Sequence, residues 1–186
     1  MDFKKIEQRI EKATKKAFIE MFEKHKEEEI YSFSLYSDEG AMTVCPSTNT
    51  IDFLKNLNEK EKEELPYYKF EPAEWKYEMV GADEDFNEIC KNLREELEKN
   101  EFLDNDEYNE KWFLKFQKDL YQTCINILKK LKKEDFFKKI TGRDIFIIFS
   151  VSEFEFEKKK IESMITELND NEYRIEYLEW MKTWSE

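Results

Sequence analysis

The chain has 186 residues, of which 40% are hydrophobic, 16% aromatic and 40% charged, with 31 basic against 44 acidic side chains and a formal net charge of −13. Its 16 Phe, 9 Tyr and 4 Trp supply a ring-rich core, and that excludes a disordered chain despite the charge density, because disorder goes with few aromatics. A field this negative disfavours nucleic acid and anionic membrane surfaces; it either speeds encounter with a basic partner or simply keeps a small domain soluble.

The length fits one α+β domain over residues 1–186, and only 3 Gly and 3 Pro are present to interrupt regular structure. Phe3, Ile6, Ile10, Ala13, Ala17, Met21 and Phe22 recur at three- and four-residue steps, which predicts an amphipathic helix over about 2–27. From Ile30 the period changes. Tyr31, Phe33 and Leu35 alternate with Ser32, Ser34 and Tyr36, the pattern of a half-buried strand. Asp38-Glu39-Gly40 reads as a turn with positive φ at the glycine. Ala41 to Cys45 reads as the returning strand of a β-hairpin, stopped by Pro46.

Ser47 to Thr50 offer helix caps. Ile51, Leu54 and Leu57 predict a helix to about Leu65, closed by Pro66. Tyr67-Tyr68-Lys69-Phe70 reads as a short strand, and Glu71 to Tyr77 as a proline-initiated turn. Asp83 or Asp85 caps a helix carrying Phe86, Ile89, Cys90, Leu93 and Leu97. Asp104-Asn105-Asp106 marks a break. The longest periodic run follows, from Tyr108 through Trp112, Phe116, Leu120, Cys124 and Leu128 to Leu131, with Phe136 and Phe137 in a continuation.

After the turn Thr141 to Asp144, the run Ile145 to Val151 is nearly all β-branched or aromatic, as expected of a central strand buried on both faces. Ser152 and Glu155 have capping-box spacing ahead of a helix to about Glu167. A terminal helix carries Tyr173, Tyr177, Trp180, Met181 and Trp184. The expected architecture is a small, mainly antiparallel sheet, built from the N-terminal hairpin and the late buried strand and covered by several long helices.

Few classes of chemistry fit this composition. His25, the one histidine, sits at the polar end of the first helix beside Lys24 and Lys26 and reads as a solvated side chain. Gly40, Gly81 and Gly142 are too isolated for a phosphate-binding loop. Cys45, Cys90 and Cys124 are scattered without zinc spacing and read as buried free thiols. The acidic runs Asp83 to Asp85 and Glu153, Glu155 and Glu157 lack the ordered spacing and glycine of a calcium loop. No catalytic residue, metal site or cofactor is therefore expected. The segment MDFKKIEQRIEKATKK has no apolar leader core, and no run approaches a membrane span, so the expected location is the cytoplasm.

One segment invites a functional expectation. Tyr67, Tyr68, Phe70, Trp75 and Tyr77 crowd into eleven residues, and aromatics with polar handles are favoured at interface hot spots. Tyr67, Tyr68, Trp75 and Tyr77 are the expected partner-binding residues, with burial over a core edge as the alternative. Trp180 and Trp184, four apart, are expected in the core or a lid, and secondarily at an interface.

The stretch Ile30 to Val44 with Pro46 and Asn49-Thr50, the pairs Tyr67-Tyr68 and Pro72-Ala73-Glu74-Trp75, and the late Ser150-Val151-Ser152 together resemble a bacterial domain family of unknown function. That resemblance carries no catalytic residue with it. In size and organisation the chain is similar to small cytoplasmic immunity proteins of bacterial toxin systems. The expected function is non-enzymatic protein binding, in the manner of an immunity protein or inhibitor that occludes a toxin or nuclease. A carboxylate-only enzyme and a structural or oligomeric adaptor are the alternatives.

Overall fold

The computed structural model describes residues 1–101, 106–152 and 156–184. In chain order its elements are α1 (Phe3–Lys24), β1 (Ile30–Asp38), β2 (Val44–Thr50), α2 (Ile51–Lys55), α3 (Glu59–Glu63), α4 (Leu65–Phe70), a short helical turn (Pro72–Glu74), β3 (Tyr77–Glu78), α5 (Asp83–Glu101), α6 (Asp106–Lys133), α7 (Phe136–Thr141), β4 (Phe146–Ser152), α8 (Lys158–Leu168) and α9 (Glu172–Met181). The expected break at Asp104-Asn105, and Glu153 and Glu155 of the acidic run, lie outside the described residues.

The strands form one sheet in the order β3-β2-β1-β4. β1 pairs antiparallel with β2 and parallel with β4, and β2 pairs antiparallel with β3. The fold is α+β with a mostly antiparallel sheet covered by helices, as the sequence predicts.

β1, not β4, holds the interior position beside β2, so the expectation of a central late strand is corrected: β4 is an edge strand. Its apolar run reports burial on both faces and says nothing of its place in the sheet. On one face Phe149 meets Tyr121 of α6, and on the other Phe146 meets Phe70, Trp75 and Tyr177. The open edge is closed by a side chain. Asn169, 1% exposed, accepts from the Ile147 N–H at 2.8 Å and donates to the Ile147 carbonyl at 2.8 Å, as a neighbouring strand would. Asn171 Nδ2 donates to the Ile145 carbonyl at 3.0 Å on the same edge. A covered edge is one way a sheet avoids unwanted strand addition.

The hairpin differs from expectation in three details. The positive φ falls on Ala41 (53°), not on Gly40, because the Asp38 side chain organises the turn by accepting from the Met42 N–H and the Thr43 hydroxyl. The return strand starts at Val44 and runs through Pro46. Proline is tolerated there because its backbone faces β3, where its carbonyl accepts from Met79 N–H, and not β1. Finally, the ladder shifts register between Ile30 and Ser32. The extra residue moves Tyr31 off the Phe33 face: Phe33 packs on Phe18 of α1 and Phe137 of α7, whereas Tyr31 packs on Tyr173 of α9.

β1 is therefore buried on both sides, and the expected half-exposed strand is corrected. Ser32 and Ser34 are fully buried. Their small side chains leave room for a second layer, residues 65–78 and α9, over the face opposite α1.

The helices follow their periodicity. Asp2 caps α1 by accepting from the Lys4 and Lys5 N–H groups, and the stripe from Ile6 to Met21 is buried. The chain after β3 crosses this stripe at Gly81 (φ 110°), where an added Cβ would stand 3.0 Å from the Ala17 side chain, so glycine is required for both angle and space. Cys45, Cys90 and Cys124 are all buried as free thiols. Ser152 lies in β4, not at a helix start, and α8 opens later, at Lys158.

The helix expected from Ile51 to Leu65 is corrected to three short ones. Thr50 caps α2, and Asn58 with Glu61 makes a capping box for α3. Pro66 stands in the first turn of α4, where its missing N–H costs nothing, so it opens a helix where closure was expected. Tyr67 to Phe70 are accordingly helical and form no strand.

Because Asn169 satisfies both backbone groups of Ile147, Asn169→Ala should lower stability by roughly 2–4 kcal/mol through unpaired buried groups. Urea unfolding monitored by circular dichroism measures this, and a loss below half of that range would show that water replaces the amide.

Candidate functional site

Residues 65–78, which carry the expected binding aromatics, are tied down by a buried amide. Asn49 of β2 is fully buried. Its Nδ2 donates to the Tyr68 carbonyl at 3.2 Å and to the Tyr31 hydroxyl at 3.1 Å, and its Oδ1 accepts from the Lys76 N–H at 3.4 Å. The Tyr31 hydroxyl in turn donates to the Lys69 carbonyl at 2.7 Å, and the Ser47 hydroxyl donates to the Pro72 carbonyl at 2.8 Å. Sequence inspection takes Asn49 only as a cap candidate; a buried polar residue in an otherwise covered strand was the missed signal.

The structure separates the four expected residues. Trp75 is 3% exposed, and its indole N–H donates to the Lys69 carbonyl at 3.2 Å. It anchors the segment from beneath. Tyr67 is 39% exposed and Tyr68 half-buried, side by side on α4 with ring centroids 5.7 Å apart. Tyr77 lies in a separate polar cluster.

That cluster corrects the expectation for His25. Its side chain is only 21% exposed: the ring lies 4.1 Å from that of Tyr77, and Nδ1 is 2.8 Å from the Tyr77 hydroxyl. The same hydroxyl donates to Glu28, whose carboxylate also accepts from the Thr50 hydroxyl at 3.0 Å and from Lys76 Nζ at 2.8 Å. Tyr77 reaches His25 because β3 lies against the end of α1. Burial alone raises the Glu28 carboxyl, but the hydrogen bonds from Lys76, Tyr77 and Thr50 outweigh it and hold the group down to about 2.

Around Tyr67 and Tyr68 the surface is acidic. Residues 59–74 contain Glu59, Glu61, Glu63, Glu64, Glu71 and Glu74 against Lys60, Lys62 and Lys69. Lys62 pairs with Glu59 at 2.9 Å, and Lys69 with Glu176. The Tyr67 hydroxyl donates to Glu74 at 3.1 Å. Its phenol is pushed up to about 12 by burial first, then by that hydrogen bond and the charges of Glu74 and Glu71. Desolvation, followed by Glu61, Glu74 and Glu64, raises Tyr68 as well. Leu65, 39% exposed, extends the same face.

Among the described residues, no group of three or more His, Cys, Asp or Glu side chains is placed to hold a metal ion. Likewise, no described helix is long and apolar enough to cross a membrane.

A four-stranded mixed sheet, layered on one side by α1, α5, α6 and α7 and on the other by an acidic, tyrosine-bearing segment, defines an α+β protein with a built surface. The chain belongs to the family described as a domain of unknown function (DUF4303), whose model matches residues 10–170. Neither a curated protein nor a solved structure matches it. The matched residues contain Asn49, Tyr67, Tyr68, Trp75 and Tyr77, and they end before α9.

Glu28 gives the site a pH signature. Its folded value of about 2 lies below its ordinary 4.5, so the unfolded chain takes up the proton first as pH falls. The stability it contributes is complete above about 4.5 and is lost as pH drops towards about 2. Glu28→Gln should flatten that part of the stability profile. Thermal melts at pH 6, 4 and 3, taken as order-of-magnitude sampling of this window, check it; parallel profiles for both proteins would remove Glu28 as the cause.

Proposed function

We propose that the chain is a non-enzymatic binding protein that recognises a basic protein through the face of α3 and α4, acting in the cytoplasm as an immunity protein or inhibitor that occludes a toxin or nuclease. The observation that carries this is the pair Tyr67 and Tyr68, presented on one short helix and surrounded by Glu61, Glu64, Glu71 and Glu74. Tyrosine supplies a large contact area at low entropic cost, and charge around it steers a basic surface to the right place. The net charge of −13 acts at longer range in the same sense.

Rigid support favours the same conclusion. Asn49, Tyr31 and Trp75 hold the backbone of Tyr68, Lys69 and Lys76, so little order is lost on binding.

The test is affinity capture from the native host with wild-type chain and with Tyr67→Ala/Tyr68→Ala. A basic protein should be retained by the wild type, with affinity falling as salt rises, and the double variant should bind it roughly 30-fold more weakly. Equal retention by both chains, or no specific partner, would sink the proposal.

A further inference from the structure

Beside this face, β4, α8 and α9 enclose a cavity of about 310 Å³. Glu71, Ile148, Met164, Tyr177, Trp180 and Trp184 line it, and Tyr67 stands at its margin with the acidic face. The three rings from the C-terminal region meet at nearly right angles. Tyr177 and Trp180 cross at 86° with centroids 5.6 Å apart, Tyr177 and Trp184 at 77° and 6.1 Å, and Trp180 and Trp184 at 88° and 5.0 Å. These rings form the corner of a box.

Glu71 is the one carboxylate among the described lining residues. It stands where α4 ends, its own N–H donating to the Tyr67 carbonyl at 2.9 Å. Its side chain accepts a long contact from the Ala73 N–H at 3.5 Å and a hydrogen bond from Ser150. A carboxylate has about four acceptor sites, so it has room for a further donor. Burial raises the group above its ordinary range, and the nearby Glu74 adds to that, against the Ala73 N–H and Ser150. A half-buried acid without a cation is costly, and ring faces carry negative potential. Both features favour the same kind of ligand.

Two lysines already stand near these rings. Lys158 Nζ donates to the Trp184 carbonyl at 3.1 Å, and Lys160 Nζ lies 4.2 Å from the Phe156 ring centroid. Neither is among the described residues lining the cavity, so neither supplies the counter-charge to Glu71.

We infer that the cavity is a receptor for the cationic head of a lysine or arginine side chain, with Glu71 as counter-charge and Tyr177, Trp180 and Trp184 as cation–π walls. The apolar lining from Ile148 and Met164 takes the methylene stem, the part of such side chains that favours apolar contact. Attraction of this kind requires a cation within about 6 Å of a ring centroid. The inference rests on the proposed binding face only for the source of that side chain, a basic partner docked across Tyr67. Three of its walls, Tyr177, Trp180 and Trp184, come from residues beyond the family match, which ends at residue 170.

The experiment uses the full chain and needs no partner. Indole N–H signals of Trp180 and Trp184 are followed by NMR during titration with N-acetyl-lysine methylamide, N-acetyl-norleucine methylamide or tetramethylammonium. The lysine amide should move both signals saturably, and the neutral norleucine amide should bind roughly tenfold more weakly. Glu71→Gln should erase that difference, and Trp184→Ala, beyond α9 and outside the sheet, should weaken the lysine amide at an unchanged melting temperature.

Equal binding of the two amides, no shift with any probe, or a Glu71→Gln chain that keeps its preference overturns the inference. Saturation by tetramethylammonium without the lysine amide overturns the side-chain source in favour of a small quaternary cation. If the lysine amide binds but no protein is captured by the α3–α4 face, the pocket stands and the proposed function fails. If a partner is captured while the probes do not bind, the reverse holds.

Discussion

The buried amide of Asn49 is the polar centre of the joint between the two layers of this protein. A sheet face made of serines and an asparagine would ordinarily be left to water. Here Ser32, Ser34, Ser47 and Asn49 are fully buried, and the layer above them is joined to the sheet by directed hydrogen bonds as well as by apolar contact. Asn49 uses both ends of its amide to bind backbone on either side of Trp75, which fixes the segment in angle as well as position. Trp75 contributes the apolar half of the same joint, packing on Phe146 while its N–H meets the Lys69 carbonyl. Removing either component would expose polar groups with no alternative partner, which is why such networks specify one arrangement strongly. The surface position of Tyr67 and Tyr68 is a consequence of that joint.

The two faces of the sheet divide their work. Towards α1, α6 and α7, Phe18, Phe33, Phe137 and Phe149 make a ring-rich core of the usual kind. Towards α4 and α9 the packing is mixed, with Phe70, Phe146 and Tyr177 beside the polar strand residues. The bulge near Tyr31 connects the halves, because it sends one large ring to the polar side without disturbing Phe33. The first face is the ring-rich core, and the second carries the proposed binding surface.

Much of this was legible in the sequence, for identifiable reasons. Long periodic helices such as α1, α5 and α6, and the hairpin, declare themselves through spacing alone. The run Ile145 to Val151 declared a strand and its burial, but apolar content cannot distinguish an interior strand from an edge covered by Asn169. Pro66 was ambiguous in principle, since proline both ends helices and begins them. The register shift at Tyr31 leaves no mark in an alternating pattern. Of the candidate site, the crowding of aromatics was visible in the sequence, while the division into a buried Trp75, an exposed Tyr67 and a Tyr77 bound to His25 depended on long-range contacts. Glu71 stood unnoticed among many glutamates. Its distinction comes from rings contributed more than one hundred residues later, at Tyr177 and Trp184.

The parallel pairing of β1 with β4 sets the order in which the chain can become itself. Ser32 must find Phe146, and Asp38 must find Ser152, across a separation that includes most of the helices. The hairpin of β1 and β2 can close early because its ends are near in sequence, whereas β4 pays the loop-closure entropy of the intervening chain. During synthesis the outer edge of β1 therefore stays open until β4 emerges. The nascent hairpin is the stage most exposed to wrong strand pairing, and α9, which completes the aromatic corner, joins after β4.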